Sequence, residues 1–256
     1  MSEPIIYTKN YVNADDTFSI SSGSPAWANA FNRDKDSYWA SSGANSDLTS
    51  VQIDITFYEG ETAIARAIDR LILINHNLKD FIVYYWDGST YQTWLTVTGE
   101  AVENSIITLP TQTTLKARII ATATQVADAE KTLAECIFCE EQLDVCMDML
   151  SYDVNFREKS KTLMMGDGSI QRVLVYWSPR RTGKYEAKVK FHMIDEDTLN
   201  SLIAIKEAGL PFLWYPESEA QPDLIYLVHW SNPLKWKYSS PYKSAGFDLE
   251  MDLKEV

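Results

Sequence analysis

Residues 26–41 read AWANAFNRDKDSYWAS, and this stretch decides how the first half of the chain is interpreted. A small apolar run leads into a loop of turn-forming and charged residues, and the loop ends on Tyr38 and Trp39. Aromatic residues that flank a polar loop indicate a loop whose ends are anchored in a hydrophobic core. The stretch therefore predicts a core-anchored surface loop.

Three oxygen-bearing side chains, Asn32, Asp34 and Asp36, stand at alternate positions within this loop. Such spacing is typical of loops that bind a hard cation, and calcium is the cofactor that it predicts. It is also typical of an Asx-rich turn, in which the side chains hydrogen-bond to their own backbone. Only part of a calcium-loop motif is visible, so both interpretations stay open.

The segment AFNRDKDSYWASSG resembles the first loop of discoidin-like domains, the galactose-binding-like sandwich of the coagulation-factor type C family. That family has an Ala-aromatic-Asp-Gly-Asp loop followed by Thr-x-Trp and a small residue. The matching positions are Ala30, Phe31, Asp34, Asp36, Trp39 and Ser41, whereas Asn32 replaces the usual Asp and Arg33 the usual Gly. The resemblance covers roughly residues 8–142 and implies a β-sandwich with Trp39 in its core.

The composition indicates a folded protein with a large core. The chain has 256 residues, of which 45% are hydrophobic and 12% aromatic, and its net charge is −13. The aromatic share favours β structure, and the acidic balance argues against nucleic-acid binding. The sequence has neither a signal peptide pattern nor an apolar run long enough to span a membrane, so synthesis in a reducing cytoplasm is expected.

An uneven charge distribution predicts two domains. Residues 1–150 carry 9 Lys and Arg against 21 Asp and Glu, whereas residues 151–256 carry 14 against 15. The shift marks a composition boundary. We predict a discoidin-like domain over residues 1–145 and a second, β-rich domain over residues 146–256.

Alternating and short apolar runs predict a mainly β protein. In SVQIDITF the residues Val51, Ile53 and Ile55 share one face, and further short strands separated by turns suggest an antiparallel sandwich. In the second domain, KYEAKVKFHMI and FDLEMDL alternate equally clearly. One short helix is predicted between Asp195 and Gly209, since acidic residues precede its apolar positions and glycine follows them.

Residues with catalytic or metal-binding chemistry are sparse. The three histidines lie in separate elements, with no acidic or cysteine partner at a recognisable spacing. Cys136 and Cys139 form a CxxC pair, but a structural zinc site needs four ligands, and the pair falls within a predicted strand. Buried thiols are the better interpretation of these residues. We therefore predict that the chain is not an enzyme.

Two groups of residues predict a protein interface. A basic run contains Arg180, Arg181, Lys184, Lys188 and Lys190, and it would suit an acidic partner unless it is simply a solvated strand face. A loop over residues 230–244 is rich in aromatic residues, which anchor protein interfaces and equally stack on sugars. Its interface candidates are Trp230, Trp236, Tyr238 and Tyr242.

The predicted function rests on resemblance. The order of strand, NHNL, strand, DG and strand, together with the GDGS hairpin and the final FDLEMDLKEV strand, resembles tail and baseplate proteins of tailed bacteriophages. This resemblance implies a structural virion tail component that binds other tail proteins and forms a homo-oligomeric ring. The alternative is a carbohydrate-binding module for host or cell-surface recognition, with its glycan held by loops 23–46 and 75–80.

Overall fold

A computed structural model describes residues 4–34, 36–43, 46–140, 143–144, 149–157, 160–164, 170–174, 184–216, 225–240 and 246–256. The chain divides into two compact units. The sandwich unit comprises Tyr7–Gln142 and Glu217–Ile225, and the sheet unit comprises Met1–Ile6, Leu143–Pro216 and Tyr226–Val256. Within the described ranges, no helix is long and apolar enough to cross a membrane.

Strands dominate both units. In the first half of the chain they are β1 (Ile5–Tyr7), β2 (Thr17–Ile20), β3 (Trp39–Ala40), β4 (Val51–Thr56), β5 (Tyr58–Glu59), β6 (Thr62–Ala63), β7 (Arg66–Ile74), β8 (Leu78–Trp86), β9 (Tyr91–Val97), β10 (Ser105–Thr114), β11 (Lys116–Thr124), β12 (Thr132–Leu133) and β13 (Glu135–Cys139). In the second half they are β14 (Leu143–Asp144), β15 (Met149–Arg157), β16 (Ser160–Met164), β17 (Ile170–Leu174), β18 (Lys184–Ile194), β19 (Phe212–Tyr215), β20 (Tyr226–Trp230), β21 (Trp236–Tyr238) and β22 (Phe247–Glu255). The two helices are a 3-10 helix over Ser24–Phe31 and α1 over Glu196–Ala208. The predicted mainly β fold class is confirmed.

Two antiparallel sheets form the body of the sandwich unit, and the short pairs β3–β12 and β5–β6 add to them. One has the strand order β2-β4-β11-β8-β9, and the other has the order β10-β7-β13. Alternate residues of β4 are buried, and they join buried residues of both sheets in a single hydrophobic cluster. Each apolar side chain buried in this way stabilises the fold by about 1.5–3 kcal/mol. The predicted antiparallel β-sandwich is therefore confirmed.

The stretch at 26–41 anchors its loop as the sequence predicts. Trp27 lies in the 3-10 helix and Trp39 lies in β3, and both indole rings are almost completely buried. Their ring centroids lie 5.6 Å apart in an edge-to-face arrangement, which is a favourable geometry for aromatic pairs. Among the described polar residues between them, Asn32 and Asp36 are exposed. Trp39 is thus a core residue, as the discoidin resemblance implies.

The sheet unit contains a large antiparallel sheet with the strand order β14-β1-β19-β20-β22-β18-β15, in which β21 also pairs with β22. The two strands predicted from alternation, β18 and β22, are neighbours over most of their length. Helix α1 begins at Asp195, whose side chain accepts a hydrogen bond from the Thr198 N–H at 2.6 Å. It ends at Gly209, whose φ of 64° lies in the left-handed region.

The N-terminal strand differs from the domain prediction. Residues 1–145 were expected to form one domain, but β1 pairs with β14 and belongs to the sheet of the sheet unit. A composition boundary cannot reveal this pairing, because a strand of three residues adds almost nothing to a charge count, and its partner is distant in sequence. The remaining boundary near residue 145 stays a prediction.

Candidate functional site

An open cleft of about 690 Å³ lies in the sheet unit, and we call it the Trp236 cleft. Its walls come from β18, from the segment between β20 and β21, and from β22. The lining residues used below are Lys190, Asn232, Trp236, Asp248, Glu250 and Asp252. Two of these, Lys190 and Trp236, belong to the predicted interface set.

The cleft forms beside the part of β22 that lacks a neighbouring strand on the side away from β18. The strand pairs with β20 around Leu253 and with β21 around Leu249, but not with either of them in between. There the Asn232 side chain takes the place of a strand, since it donates to the Glu250 carbonyl at 3.1 Å and accepts from the Asp252 N–H at 2.8 Å. Pro233 follows and cannot continue a ladder of hydrogen bonds. The chain therefore leaves the sheet and leaves a gap.

Trp236 presents an aromatic surface at this gap. Its side chain is 45% exposed, and its ring meets Phe247 edge-to-face with centroids 5.3 Å apart. The ring of Tyr238, which is 42% exposed, contacts the same two rings. Packing on two neighbours fixes the orientation of the indole while it stays accessible to solvent. Trp230 differs, because it is buried and donates to Asn232 Oδ1 at 2.5 Å.

Two lysines of the predicted basic surface are paired with one acidic side chain of β22, Glu250. Lys188 Nζ lies 2.7 Å from Glu250 Oε1, and Lys190 Nζ lies 3.6 Å from Glu250 Oε2. The hydrogen bond from Lys188 is the main reason that the pKa of Glu250 is lowered. Lys184 lies at the start of β18, whereas Arg180, Arg181 and Tyr242 lie outside the described residues. The described part of this run is therefore a mixed-charge face.

His192 has an acidic partner that the sequence spacing does not reveal. Its Nδ1 lies 2.5 Å from Asp248 Oδ1, which also accepts a hydrogen bond from Ser239 Oγ at 2.6 Å. Burial raises the pKa of Asp248, but the hydrogen bonds from Ser239 and His192 outweigh burial and lower it. The sequence analysis found no partner for His192 at a recognisable spacing, and this contact spans 56 residues. The two residues lie on adjacent strands, and only the pairing of those strands brings them together.

The predicted cation loop is closed by two successive Asx turns. Asn32 Oδ1 accepts the Asp34 N–H at 2.9 Å, and Asp34 Oδ1 accepts the Asp36 N–H at 3.0 Å. The turn interpretation therefore accounts for one oxygen of each of these two side chains. Across the described ranges, no group of three or more His, Cys, Asp or Glu residues is placed to hold a metal ion. Calcium binding by Asn32, Asp34 and Asp36 stays a prediction.

A buried carboxylate near this loop was missed by the sequence analysis. Glu135 is fully buried, and neither of its carboxylate oxygens has a hydrogen-bond partner among the described residues. Burial raises its pKa to about 7, although the nearby backbone N–H groups of Arg33 and Asp34 oppose this shift. The available signal was a charged residue inside the otherwise apolar run LAECIFC.

The two cysteines of the CxxC pair are inert. Cys136 and Cys139 are free thiols in β13, where every residue is buried. Burial raises the pKa of Cys139 to about 12 and that of Cys136 further, so neither thiol ionises near neutral pH. His76 is also buried, and burial lowers its pKa to about 4. Its Nδ1 accepts the Leu78 N–H at 3.2 Å, which is a local structural role.

The loops that were predicted to hold a glycan are braced by hydrogen bonds at one end of the sandwich. Asn77 accepts from the Thr132 N–H at 2.8 Å and donates to the Glu130 carbonyl at 2.6 Å. Ser22 Oγ donates to the Ser42 carbonyl at 2.8 Å. Among the described residues of loops 23–46 and 75–80, Tyr38 is the exposed aromatic side chain, with 53% of its surface accessible.

No protein-family model and no curated protein matches the chain. Solved structures that resemble it include a chitosan-binding module from Paenibacillus sp. IK-5, with 17% identity and a TM-score of 0.43 over 52% of this chain and 100% of that chain. A family 32 carbohydrate-binding module from Streptococcus pneumoniae has 18% identity, the same coverage of both chains and a TM-score of 0.43. A family 32 module from Clostridium perfringens, in complex with galactose, has 12% identity and a TM-score of 0.42 over 53% of this chain and 98% of that chain.

These comparisons correct the predicted function. The role as a structural component of a phage tail or baseplate is wrong, because the solved structures that resemble the chain are carbohydrate-binding modules. Nothing in the comparisons supports virion partners or a homo-oligomeric ring. The likeness is one of fold over about half of the chain.

Proposed function

We propose that this chain binds carbohydrate and that the Trp236 cleft is the binding site. The observation that carries the proposal is an indole ring, 45% exposed and held by Phe247, at the rim of a cleft lined with carboxylates and an amide. Sugar rings present apolar C–H faces and polar hydroxyl edges. An accessible aromatic ring beside convergent polar groups suits both.

The polar groups of the cleft are fixed before any ligand binds. Asn232 is held by the backbone of β22, Asp248 by Ser239 and His192, and Glu250 by Lys188. Side chains that are already ordered lose less conformational freedom when a ligand binds, which favours affinity. The proposal rests on this cleft alone.

The charge states of the cleft favour binding over hydrolysis. A glycosidase of the common type needs one carboxylic acid whose pKa is raised, so that it can protonate the leaving group. In the Trp236 cleft the pKa values of Asp248 and Glu250 are both lowered, so both side chains are ionised at neutral pH. We therefore propose that a bound glycan leaves the cleft unchanged, which chromatography of the incubated glycan would verify.

A second candidate site is the loop end of the sandwich unit. One observation favours it, namely that Tyr38 is a 53% exposed aromatic residue within loop 23–46. The Trp236 cleft ranks first because it combines an exposed aromatic ring with polar lining side chains. Each candidate site depends on its own exposed aromatic residue, Trp236 or Tyr38. Replacing each of these residues in turn therefore shows which site binds the ligand.

The test compares Trp236→Ala with Tyr38→Ala in a glycan array followed by titration calorimetry of the best ligand. We expect Trp236→Ala to weaken binding by about 30-fold or more, as loss of an aromatic hot spot does. Tyr38→Ala should bind like the wild type, and it serves as the matched control because Tyr38 is an aromatic residue of similar exposure, 53% against 45% for Trp236. Both variants should keep the wild-type melting temperature within a few degrees, since neither residue is buried.

Two results would overturn the proposal. If the wild type bound no glycan on the array, carbohydrate binding itself would be rejected. If Tyr38→Ala lost binding while Trp236→Ala retained it, the site would move to the loop end of the sandwich unit.

A further inference from the structure

The five-stranded sheet of the sandwich unit has an outward face that carries aromatic side chains. In β8 the side chains of Phe81 and Val83 belong to the hydrophobic core, so Tyr84 and Trp86 lie on the opposite face of the strand. Tyr91 of β9 pairs with Trp86 in the register and shares this face. Tyr84, Trp86 and Tyr91 are each half-buried, so part of each side chain remains accessible to solvent. We call this surface the Tyr91 face.

Tyr91 and Arg118 meet above β8. The centroid of the Tyr91 ring lies 5.1 Å from that of Trp86 on β8 and 3.8 Å from the guanidinium carbon of Arg118 on β11. Since β8 lies between β9 and β11 in the sheet, these two side chains together bridge two strand intervals. A guanidinium group stacks favourably on an aromatic ring, so the contact holds the Tyr91 ring across the sheet.

Arg118 is itself held in place by β4. Its Nε and Nη2 atoms donate to the two carboxylate oxygens of Asp54, and Gln52 Nε2 donates to Asp54 Oδ2 at 2.8 Å. Such two-point pairing fixes the plane of a guanidinium group. The side chains from Gln52 to Tyr91 are therefore ordered in the free protein, which reduces the loss of conformational entropy when a ligand binds.

The charge and chemistry of the Tyr91 face suit a neutral ligand that is rich in hydroxyl groups. The charges of Asp54 and Arg118 offset each other, and Lys116 contributes a positive charge that lies over an aromatic ring of the face. Thr56 of β4 and Thr93 of β9 add hydroxyl groups on the same side of the sheet. The chain as a whole carries a charge of −13, which disfavours polyanions. Carbohydrate combines apolar ring faces with hydroxyl groups and fits this surface.

The Tyr91 face is also wide. Between Asp54 on β4 and Tyr91 on β9 lie three strand-to-strand intervals, which together span about 14 Å. A single sugar ring covers only part of this distance, whereas consecutive rings of an extended chain contact all four strands. The width therefore favours a polymer over a monosaccharide.

We infer that the Tyr91 face is a second carbohydrate-binding surface and that its ligand is a neutral polysaccharide whose chain crosses the strands from β4 to β9. Sugar rings stack on Tyr91 and Tyr84, while Arg118 and Gln52 donate hydrogen bonds to hydroxyl groups. This site lies on the sandwich unit and shares no residue with the Trp236 cleft, so it goes beyond the proposed function.

The test is affinity electrophoresis in gels that contain a soluble β-glucan, a galactomannan or an arabinoxylan. Trp236→Ala serves as the background, because it removes the contribution of the Trp236 cleft. We expect this variant to be retarded by at least one of the polysaccharides, and the addition of Tyr91→Ala to weaken the affinity by about tenfold or more. Tyr91→Phe should retain the affinity, since stacking requires the ring and not the hydroxyl group.

A second substitution and a control separate binding from folding. Tyr84→Thr, on the same face, introduces a residue that is equally suited to a strand and should also weaken the affinity. Tyr38→Ala, in loop 23–46, should leave it unchanged. Melting temperatures within a few degrees of the background variant would show that a lost affinity does not come from unfolding.

The possible results distinguish this site from the Trp236 cleft. A Trp236→Ala variant that none of the polysaccharides retards, or an affinity that neither Tyr91→Ala nor Tyr84→Thr weakens, overturns the inference and leaves the proposed function standing. Retardation that disappears at high salt would mean that charge drives binding, and it overturns the neutral ligand. If Trp236→Ala retains all glycan binding while Tyr91→Ala abolishes it, the Trp236 cleft is rejected and the Tyr91 face stands.

Discussion

Gly23→Ala is expected to destabilise the sandwich unit by at least about 3 kcal/mol. Gly23 has a φ of 72°, and a Cβ atom added there would lie 2.0 Å from the Ala40 carbonyl oxygen and 2.8 Å from Trp39 Nε1. A left-handed conformation alone costs a residue with a side chain about 1–2 kcal/mol. The overlap adds to that cost, because Ala40 belongs to β3 and Trp39 is fully buried, so neither can move freely.

The matched control for this prediction is Gly43→Ala. Gly43 has nearly the same φ, 74°, but nothing lies within 4 Å of a Cβ atom added there. We expect this variant to lose only about 1 kcal/mol, which is the backbone strain without the clash. Urea unfolding of both variants and the wild type measures the two losses of unfolding free energy. Equal losses would show that the contact with Ala40 and Trp39 relaxes without cost.

Strand prediction succeeded where one face of a strand is buried and the other is not. The alternation of β22, and of β18 as far as Phe191, matches their buried and exposed residues, because each pleated strand sends successive side chains to opposite faces. Met193 departs from the pattern: it is 52% exposed, has a φ of 58° and lies where the β18–β22 register shifts. The ends of α1 were equally predictable, since a cap at Asp195 and a left-handed Gly209 are local interactions. Periodicity and capping act within a few residues, and the sequence records them directly.

The candidate site was not predictable to the same degree, because it depends on which strands pair. Lys188, Lys190, Trp236 and Tyr238 were identified as surface residues, but as parts of a protein interface. Their arrangement around a cleft requires β22 to lie between β18 and β21 and requires Asn232 to replace a missing strand. A sequence shows that residues 231–235 break the strand, through Pro233, but it does not show what the break uncovers.

The buried Glu135 makes the stability of the sandwich unit fall as pH rises. Its pKa is about 7 in the folded chain, against an ordinary value of 4.5, mainly because burial disfavours the charged form. The folded state therefore binds this proton more tightly than the unfolded state. The contribution of Glu135 to the free energy of unfolding declines between about pH 4.5 and pH 7 and is constant above that window.

Glu135→Gln is expected to remove this pH dependence. The free energy of unfolding of the variant relative to the wild type should increase by about 3 kcal/mol between pH 4.5 and pH 8. This difference is independent of any constant cost that the amide group brings, which makes it a cleaner measure than stability at one pH. Glu61→Gln, at an exposed position, is the control and should show no such change. Urea unfolding at a series of pH values gives the result, and parallel curves for Glu135→Gln and the wild type would contradict the shift.

The effect of calcium on the melting temperature tests whether a cation binds beside the Glu135 carboxylate. A bound cation would require oxygen atoms to converge on the carboxylate. The negative charge of Asp34 acts on it, but so do the positive charge of Arg33 and the nearby backbone N–H groups of Arg33 and Asp34, which oppose a cation. These groups favour an anion that has no metal beside it, and Arg33 stands where the discoidin-like loop usually has glycine. We therefore expect millimolar calcium to leave the melting temperature of the wild type unchanged at pH 8. A rise in the wild type that is absent from Glu135→Gln would mean that a cation binds beside Glu135, and it would support the cation-loop interpretation of Asn32, Asp34 and Asp36.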